Sequence, residues 1–332
     1  MITKLASLSI QCQSYIENSK ILKLIYPVAI ESGNPHTVIQ LFRSLMKTVA
    51  YFSRFMRCTR FANLVDSVSR RRSHALRFLG LLGLLVLQPF SIALAQNAFE
   101  KGRAFFEQRA RESETHQAQP EYINQAIDAF EQAIAEEVEI QKSAEYLLRA
   151  YYFKGMFTGL PKDAQKEIYD KGRDLGEKMT EKYPDSVPVK FWYAANLGRW
   201  AKVFGFVNAA TNGIAGKVRQ LSKQIIKLDP AYQGGGGYRI LAQVNFYSPN
   251  IPLLMGWPSD KKALNLIEKA LEIAPDHPTN RMLYAQLLLE FDRGQDAKKE
   301  LQGILDLEPR PDYLIEDRYV QYRSRQLLEE KF

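Results

Sequence analysis

From about residue 97 onward, apolar and small residues return every three or four positions, the spacing that gathers them on one face of an α-helix. Tyr146, Ala150 and Phe153 follow this rule, as do Tyr284, Leu287, Leu288 and Phe291. No stretch alternates strictly over six or more residues with β-branched enrichment, so no strands are expected. The pattern predicts one set of helices (A) over roughly 97–113, 140–154, 188–204, 235–247 and 278–291. A second set (B) begins near residues 120, 162, 213, 259 and 294, and residues 312–330, rich in Glu, Arg and Gln, read as a final helix whose polar face caps the array.

The B helices share an internal signature. Ala263 and Ala270 stand seven apart with Pro275 five further on, and Ala297 and Pro309 repeat the same overall offset 34 residues later. Ala126, Phe130 and Ala133 fit the signature well, while Gly172, Gly176 and Met179 before Pro184, and Val218, Ser222 and Ile225 before Pro230, fit it loosely. Taking Ala126, Gly172, Val218, Ala263 and Ala297 as equivalent gives spacings of 46, 46, 45 and 34. This combination resembles the tetratricopeptide repeat (TPR), in which small residues let helix B approach its neighbours and a proline ends it. A proline inside a helix costs about 3 kcal/mol, so it belongs where the helix stops. The expected fold is all-α: a TPR-like solenoid of five helix pairs plus a cap, with elongated A–B connections.

Three consecutive units carry eleven or twelve residues more than the shortest one. The extra residues are apolar: GMFTGLP (155–161) with Phe157, FGFVNAATNGIAG (204–216) with Phe206, and SPNIPLLMGWP (248–258) with Leu254 and Trp257. Connections between surface helices are ordinarily polar. Gathered along one edge, these insertions would form a lipophilic pocket or an intersubunit patch. Alternatively, they tuck back over the ends of their own helices. The run Gly234–Gly237 permits close approach, to a neighbouring helix or to a ligand. It lacks the lysine and preceding strand of a phosphate loop. Arg239, just beyond it, could balance a buried carboxylate, balance a ligand carboxylate, or stand in solvent.

Charge and composition alter the picture at the N-terminus. The net charge is +8, which would suggest a nucleic acid or anionic membrane partner. However, residues 1–95 hold 12 Lys and Arg against 3 Asp and Glu, leaving 33 basic and 34 acidic residues for the rest. No nucleic-acid partner is therefore expected. Residues 70–95 read as a signal peptide: Arg70, Arg71, Arg72 and Arg77, then an apolar run from Phe78 to Leu87, Pro89, and Ala93-Leu94-Ala95 at the cleavage site. Cleavage after Ala95 would make residues 96–332 periplasmic. The alternative is an uncut inner-membrane anchor over 78–95, at the lower length limit for spanning. Residues 1–69 read as a start codon placed too early or as a cytoplasmic extension. Cys12 and Cys58, the only cysteines, both lie before the cut, which excludes a disulfide framework or a Cys-rich zinc module.

Beyond the generic repeat, residues 191–275 look like the periplasmic T component of TPR-associated tripartite (TRAP) transporters. The likeness rests on F-W-Y-A-A-N-L-G-R-W (191–200), L-D-P-A-Y-Q-G-G-G-G-Y-R-I-L-A (228–242), the Pro/Trp-rich insertion, S-D-K-K-A-L (259–264) and A-P-D-H-P-T-N-R (274–281). It implies a ring-like homo-oligomer with hydrophobic pores that pass a small ligand to a substrate-binding protein partner. The residues it carries over are Trp192, Asn196, Arg199 and Trp200, Gly235, Gly236 and Arg239, and the insertion residues up to Trp257. Two features depart from that pattern: Gln96 rather than Cys follows the cut, which gives no lipid anchor, and the last repeat lacks an insertion.

No catalytic, metal or cofactor site is expected. His116 and His277 read as exposed loop residues, and no GxSxG elbow or HExxH pair occurs. The functional expectation is an exported adaptor for solute transport that holds a small apolar or amphipathic ligand. Its rival is a plain TPR scaffold that binds a peptide or partner helix in its concave groove.

Overall fold

The structure is a computed structural model that describes residues 98–249 and 256–332. The signal peptide at 70–95, the preceding extension and Leu254 lie outside the described residues. Within them the chain forms α1 (98–107), α2 (Pro120–Ala135), α3 (Ile140–Phe157), α4 (Lys162–Lys182) and α5 (Val187–Phe204). There follow α6 (Phe206–Thr211), α7 (Ile214–Leu228), α8 (Tyr232–Tyr247), α9 (Asp260–Ile273), α10 (Pro278–Glu290) and α11 (Gly294–Leu305). A 3₁₀ turn (Pro311–Tyr313) leads into α12 (Leu314–Lys331). Among the described residues there is no strand.

Prolines mark the helix boundaries. Pro120, Pro188 and Pro278 occupy the first turns of α2, α5 and α10, where a missing N–H costs nothing. Pro184, Pro230, Pro275 and Pro309 follow the ends of α4, α7, α9 and α11. Side-chain caps add to this: Ser186 Oγ accepts from the Val189 N–H, and Ser259 Oγ accepts from the Lys262 N–H.

The helices form two layers. Helices α3, α5, α8, α10 and α12 each touch the next in that order, while α4, α7, α9 and α11 fit between successive members of this row and α2 packs between α1 and α3. The five positions equated in the sequence, Ala126, Gly172, Val218, Ala263 and Ala297, are all buried at these contacts. In the second repeat smallness is required. A Cβ on Gly172 would come within 2.5 Å of Asn196 Oδ1, and one on Gly176 within 2.1 Å of the Tyr193 ring. The loose second repeat therefore uses glycine where α5 presents large side chains.

Two boundaries differ from expectation. Helix α1 stops at residue 107, and Gln108 and Arg109 close i,i+3 turns onto Phe105 and Phe106. Helix α8 starts earlier than predicted, but Gln233, Gly234 and Gly235 hold left-handed φ values of 52°, 61° and 76°. A left-handed step there is cheap only for glycine. It also brings Gly235 so near Ala270 that a Cβ would lie 2.8 Å from the Ala270 Cα.

Candidate functional site

The inner row of helices borders a part-open chamber of about 480 Å³, within the ~300–1,000 Å³ typical of small-molecule sites. Phe157, Trp192, Ile240, Val244 and Met282 supply much of its apolar wall. Helix α12 supplies the opposite wall through Glu316, Tyr319, Val320 and Arg323, whose i, i+3, i+4, i+7 spacing places them on one helical face. Phe206, Ala209 and Ile214 line it from the second insertion.

Closure depends on a contact between the two ends of the described chain. Arg109 Nη2 lies 2.9 Å from Glu316 Oε1 and also donates to the Asp312 carbonyl. The Arg109 side chain is 6% exposed and lies over the Phe106 ring. Arg318 donates to the Ser113 carbonyl at 2.7 Å, and the His116 imidazole stacks on Tyr322 at 3.9 Å. Tyr319 meets Phe157 edge-on. Helix α12 thus covers α10 and α11 with one face and turns the other into the concave space.

The predicted residues separate into two groups. Phe157, Trp192, Arg199, Phe206 and Arg239 line the chamber together. Phe206, 40% exposed, stands at its mouth, stacked on Tyr247. Asn196, Trp200, Gly235, Gly236 and Trp257 are instead in helix contacts. Asn196 donates to the carbonyls of Leu148 and Trp192, tying α3 to α5. Trp200 turns towards α4 and is buried there, its indole N–H donating to Asp170 at 2.7 Å and its ring stacking on Phe204. A Cβ on Gly236 would meet the Phe191 ring at 2.4 Å. Trp257 packs on the α7 side beneath the Arg219 guanidinium.

His277 departs from the exposed loop position expected of it. It lines the chamber beside Arg239 and Arg310, and burial together with those two cations pushes its pKa down to about 2. His116, in its stack with Tyr322, is half-buried as well. In both cases the polar sequence neighbours gave no sign of the distant aromatic or cationic partner. Among the described residues, no group of three His, Cys, Asp or Glu side chains is placed to hold a metal ion.

Residues 261–314, covering α9 to the first residue of α12, match the family model described as tetratricopeptide repeat. Among solved structures, TTC0263, a thermophilic TPR protein in Thermus thermophilus, superposes with a TM-score of 0.50. That alignment covers 71% of this chain and 99% of that chain at 15% identity. The fold is a TPR-like solenoid. The TPR2AB domain of yeast Sti1 in its pHSP90 complex aligns over 72% of this chain and 98% of that one at 12% identity, with a TM-score of 0.27. No curated protein matches the chain.

Helix α12 lies along the concave side of the array, and the chamber lining carries an excess of positive charge. Arg199, Lys202, Arg239, Arg310 and Arg323 line the chamber, against one carboxylate, Glu316, which Arg109 already engages. Arg310 is paired with Asp317 at 2.7 Å. Arg239, 7% exposed, donates to Asn280 Oδ1 and to the Gln233 carbonyl, and burial pushes it down to about 10. No salt bridge to Arg199, Lys202 or Arg323 forms among the described residues.

Proposed function

We propose that this protein is a non-catalytic binding protein of the cell envelope that holds a small apolar or amphipathic ligand in the chamber between its inner helices and α12. The observation that carries the reading is the apolar lining that α12 completes. A groove lined by Phe157, Trp192 and Val244 on the inner helices and by Tyr319 and Val320 on α12 offers an apolar molecule contact on both sides. Burying apolar surface yields about 25 cal/mol per Å², so a wall of this kind supplies affinity without specific chemistry. Export rests on the 70–95 signal pattern, and association with TRAP-type solute transport rests on the motifs at 191–200 and 228–242. A substrate-binding component would be the protein partner in that setting, with homo-oligomerisation as part of it.

The test is intrinsic fluorescence. Of the three tryptophans, Trp192 lines the chamber while Trp200 and Trp257 pack elsewhere. Titration with 1-anilinonaphthalene-8-sulfonate, followed by energy transfer from tryptophan, should give saturable binding that Trp192→Phe weakens in signal and Trp257→Phe leaves intact. An equal response in all variants would place the ligand outside the chamber. N-terminal sequencing of the protein recovered from the periplasm should read from Gln96.

A second reading, docking of a protein partner, is favoured by one specific feature. Helix α6 presents Phe206 at 40% and Val207 at 63% exposure beside Tyr247. An apolar cluster of this kind at the chamber mouth suits a partner that receives or delivers the ligand.

A further inference from the structure

We propose that helix α6 and the helix ends on either side of it form a membrane-docking surface: Phe206 and Val207 enter the interface of an anionic bilayer while Lys202 and Lys217 meet the lipid headgroups. The proposal is read from the outer surface and does not depend on what the chamber holds. It competes with a protein partner for the same apolar tip.

Charge is spread unevenly along the chain. Residues 186–259, which span α5 to α8, hold eight Lys and Arg against one acid, Asp229, whereas the rest of 96–332 holds 25 against 33. None of the eight forms a salt bridge among the described residues. The imbalance extends to the helix ends around α6. An acid in the first turn suits the positive end of a helix dipole, and α2, α4, α9 and α11 carry Glu121, Asp163, Asp260 and Asp296 there. Helix α7 has no acid in its first turn, and its fourth residue is Lys217. Helix α5 carries Lys202 in its last turn. Because α6 packs against both α5 and α7, a cation flanks it on each side.

Helix α6 itself, F-V-N-A-A-T, is uncharged. Ala209 and Ala210 are buried and fix it to the protein, while Phe206 and Val207 stand 40% and 63% exposed with Tyr247 stacked beside Phe206. A Cβ on Gly205, Gly213 or Gly216 would meet nothing within 4 Å, so these turns stand clear of their surroundings. An apolar tip gains by leaving water. Lysine is depleted at protein–protein interfaces. An anionic bilayer instead offers apolar depth to the tip and one sign of charge to its flanks. Lysine stems suit that boundary, since their methylenes can be buried while the ammonium stays among the headgroups. Phe206 also lines the chamber, so docking in this way turns the chamber mouth towards the bilayer.

The test is co-sedimentation of the protein recovered from the periplasm with two kinds of vesicle, phosphatidylcholine alone and an equal mixture with phosphatidylglycerol. The mixed vesicles should bind at least about tenfold more tightly, and less so as salt is added. Lys202→Gln/Lys217→Gln should weaken that binding about tenfold or more, since each lysine near an anionic surface accounts for about fivefold. Phe206→Ser/Val207→Ser should weaken it at least about tenfold. Lys182→Gln/Lys227→Gln removes the same charge from the last turns of α4 and α7 and should stay within about twofold of the wild type. Circular dichroism at matched temperature checks that each variant is folded. Absence of binding to either vesicle would overturn the proposal and leave the tip to a protein partner. Binding unchanged by both the Lys202/Lys217 and the Phe206/Val207 substitutions would overturn it by assigning attachment to another part of the chain. An equal loss in Lys182→Gln/Lys227→Gln would reduce it to diffuse charge attraction, and equal affinity for the two vesicles would refute the headgroup contact.

Discussion

The environment of His277 makes the stability of this protein depend on pH in a calculable way. The residue caps the start of α10 and closes the turn from Ala274, with its ring against Gly234, where an added Cβ would come within 2.9 Å. Burial, then Arg239 and Arg310, lower its pKa from 6.5 to about 2. The native protein therefore keeps a neutral imidazole throughout the accessible range. The unfolded chain does not, because its histidine takes up a proton once the pH drops below about 6.5. Stability tied to this group is thus complete above 6.5 and declines as the pH falls towards 2, at about 1.4 kcal/mol per unit. From pH 7 to pH 5 the loss comes to about 2 kcal/mol. Urea unfolding at both pH values should show this loss in the wild type over and above that in His277→Gln, which has no proton to take up. The carboxylates contribute alike to both proteins and cancel in the difference. Equal pH dependence of the two would show that His277 is solvated in the folded state and that the chamber is open at that end.

Three further outcomes follow from the packing. Gly176→Ala forces a methyl group into the Tyr193 ring, which it would approach to 2.1 Å, and should lower the unfolding free energy by about 1–3 kcal/mol in urea; an unchanged midpoint would mean that α4 and α5 are farther apart. Glu316→Gln leaves Arg109 buried without its counter-charge and should cost about 3–5 kcal/mol, read as a fall in the urea midpoint, whereas the exposed pair Arg293–Asp296 should contribute no more than about 0.5 kcal/mol. Phe130→Ala removes a fully buried ring between α1 and α3 and should cost about 3–5 kcal/mol by the same assay.

The repeat was legible because each of its physical requirements leaves a local trace. A helix that must sit close to two others shows Ala263 and Ala270 one pair of turns apart, and its end shows Pro275. Even the degenerate unit with Gly172 and Gly176 could be aligned, since both glycines answer to side chains on α5. The chamber was half legible. Phe157, Trp192, Arg199, Phe206 and Arg239 stood out by type and motif, and they do meet. Asn196, Trp200 and Gly236 stood out equally, but helix contacts account for them. The role of α12 was hidden. Tyr319 and Arg323 sit in a segment rich in charge, and their partners lie far away in sequence: Arg109 and Glu316 are separated by 207 residues. No periodicity carries such a pairing, because it depends on the accumulated curvature of five helix pairs.

The fastening of α12 to the segment after α1 has a consequence for how the molecule comes apart. A linear array of repeats peels from its ends, since each terminal hairpin has a neighbour on one side only. Here Arg109, Ser113 and His116 at one end of the described array are clasped by Glu316, Arg318 and Tyr322 at the other. Neither terminal hairpin can detach without releasing the other, so denaturation is expected as one concerted event in place of a progressive unzipping.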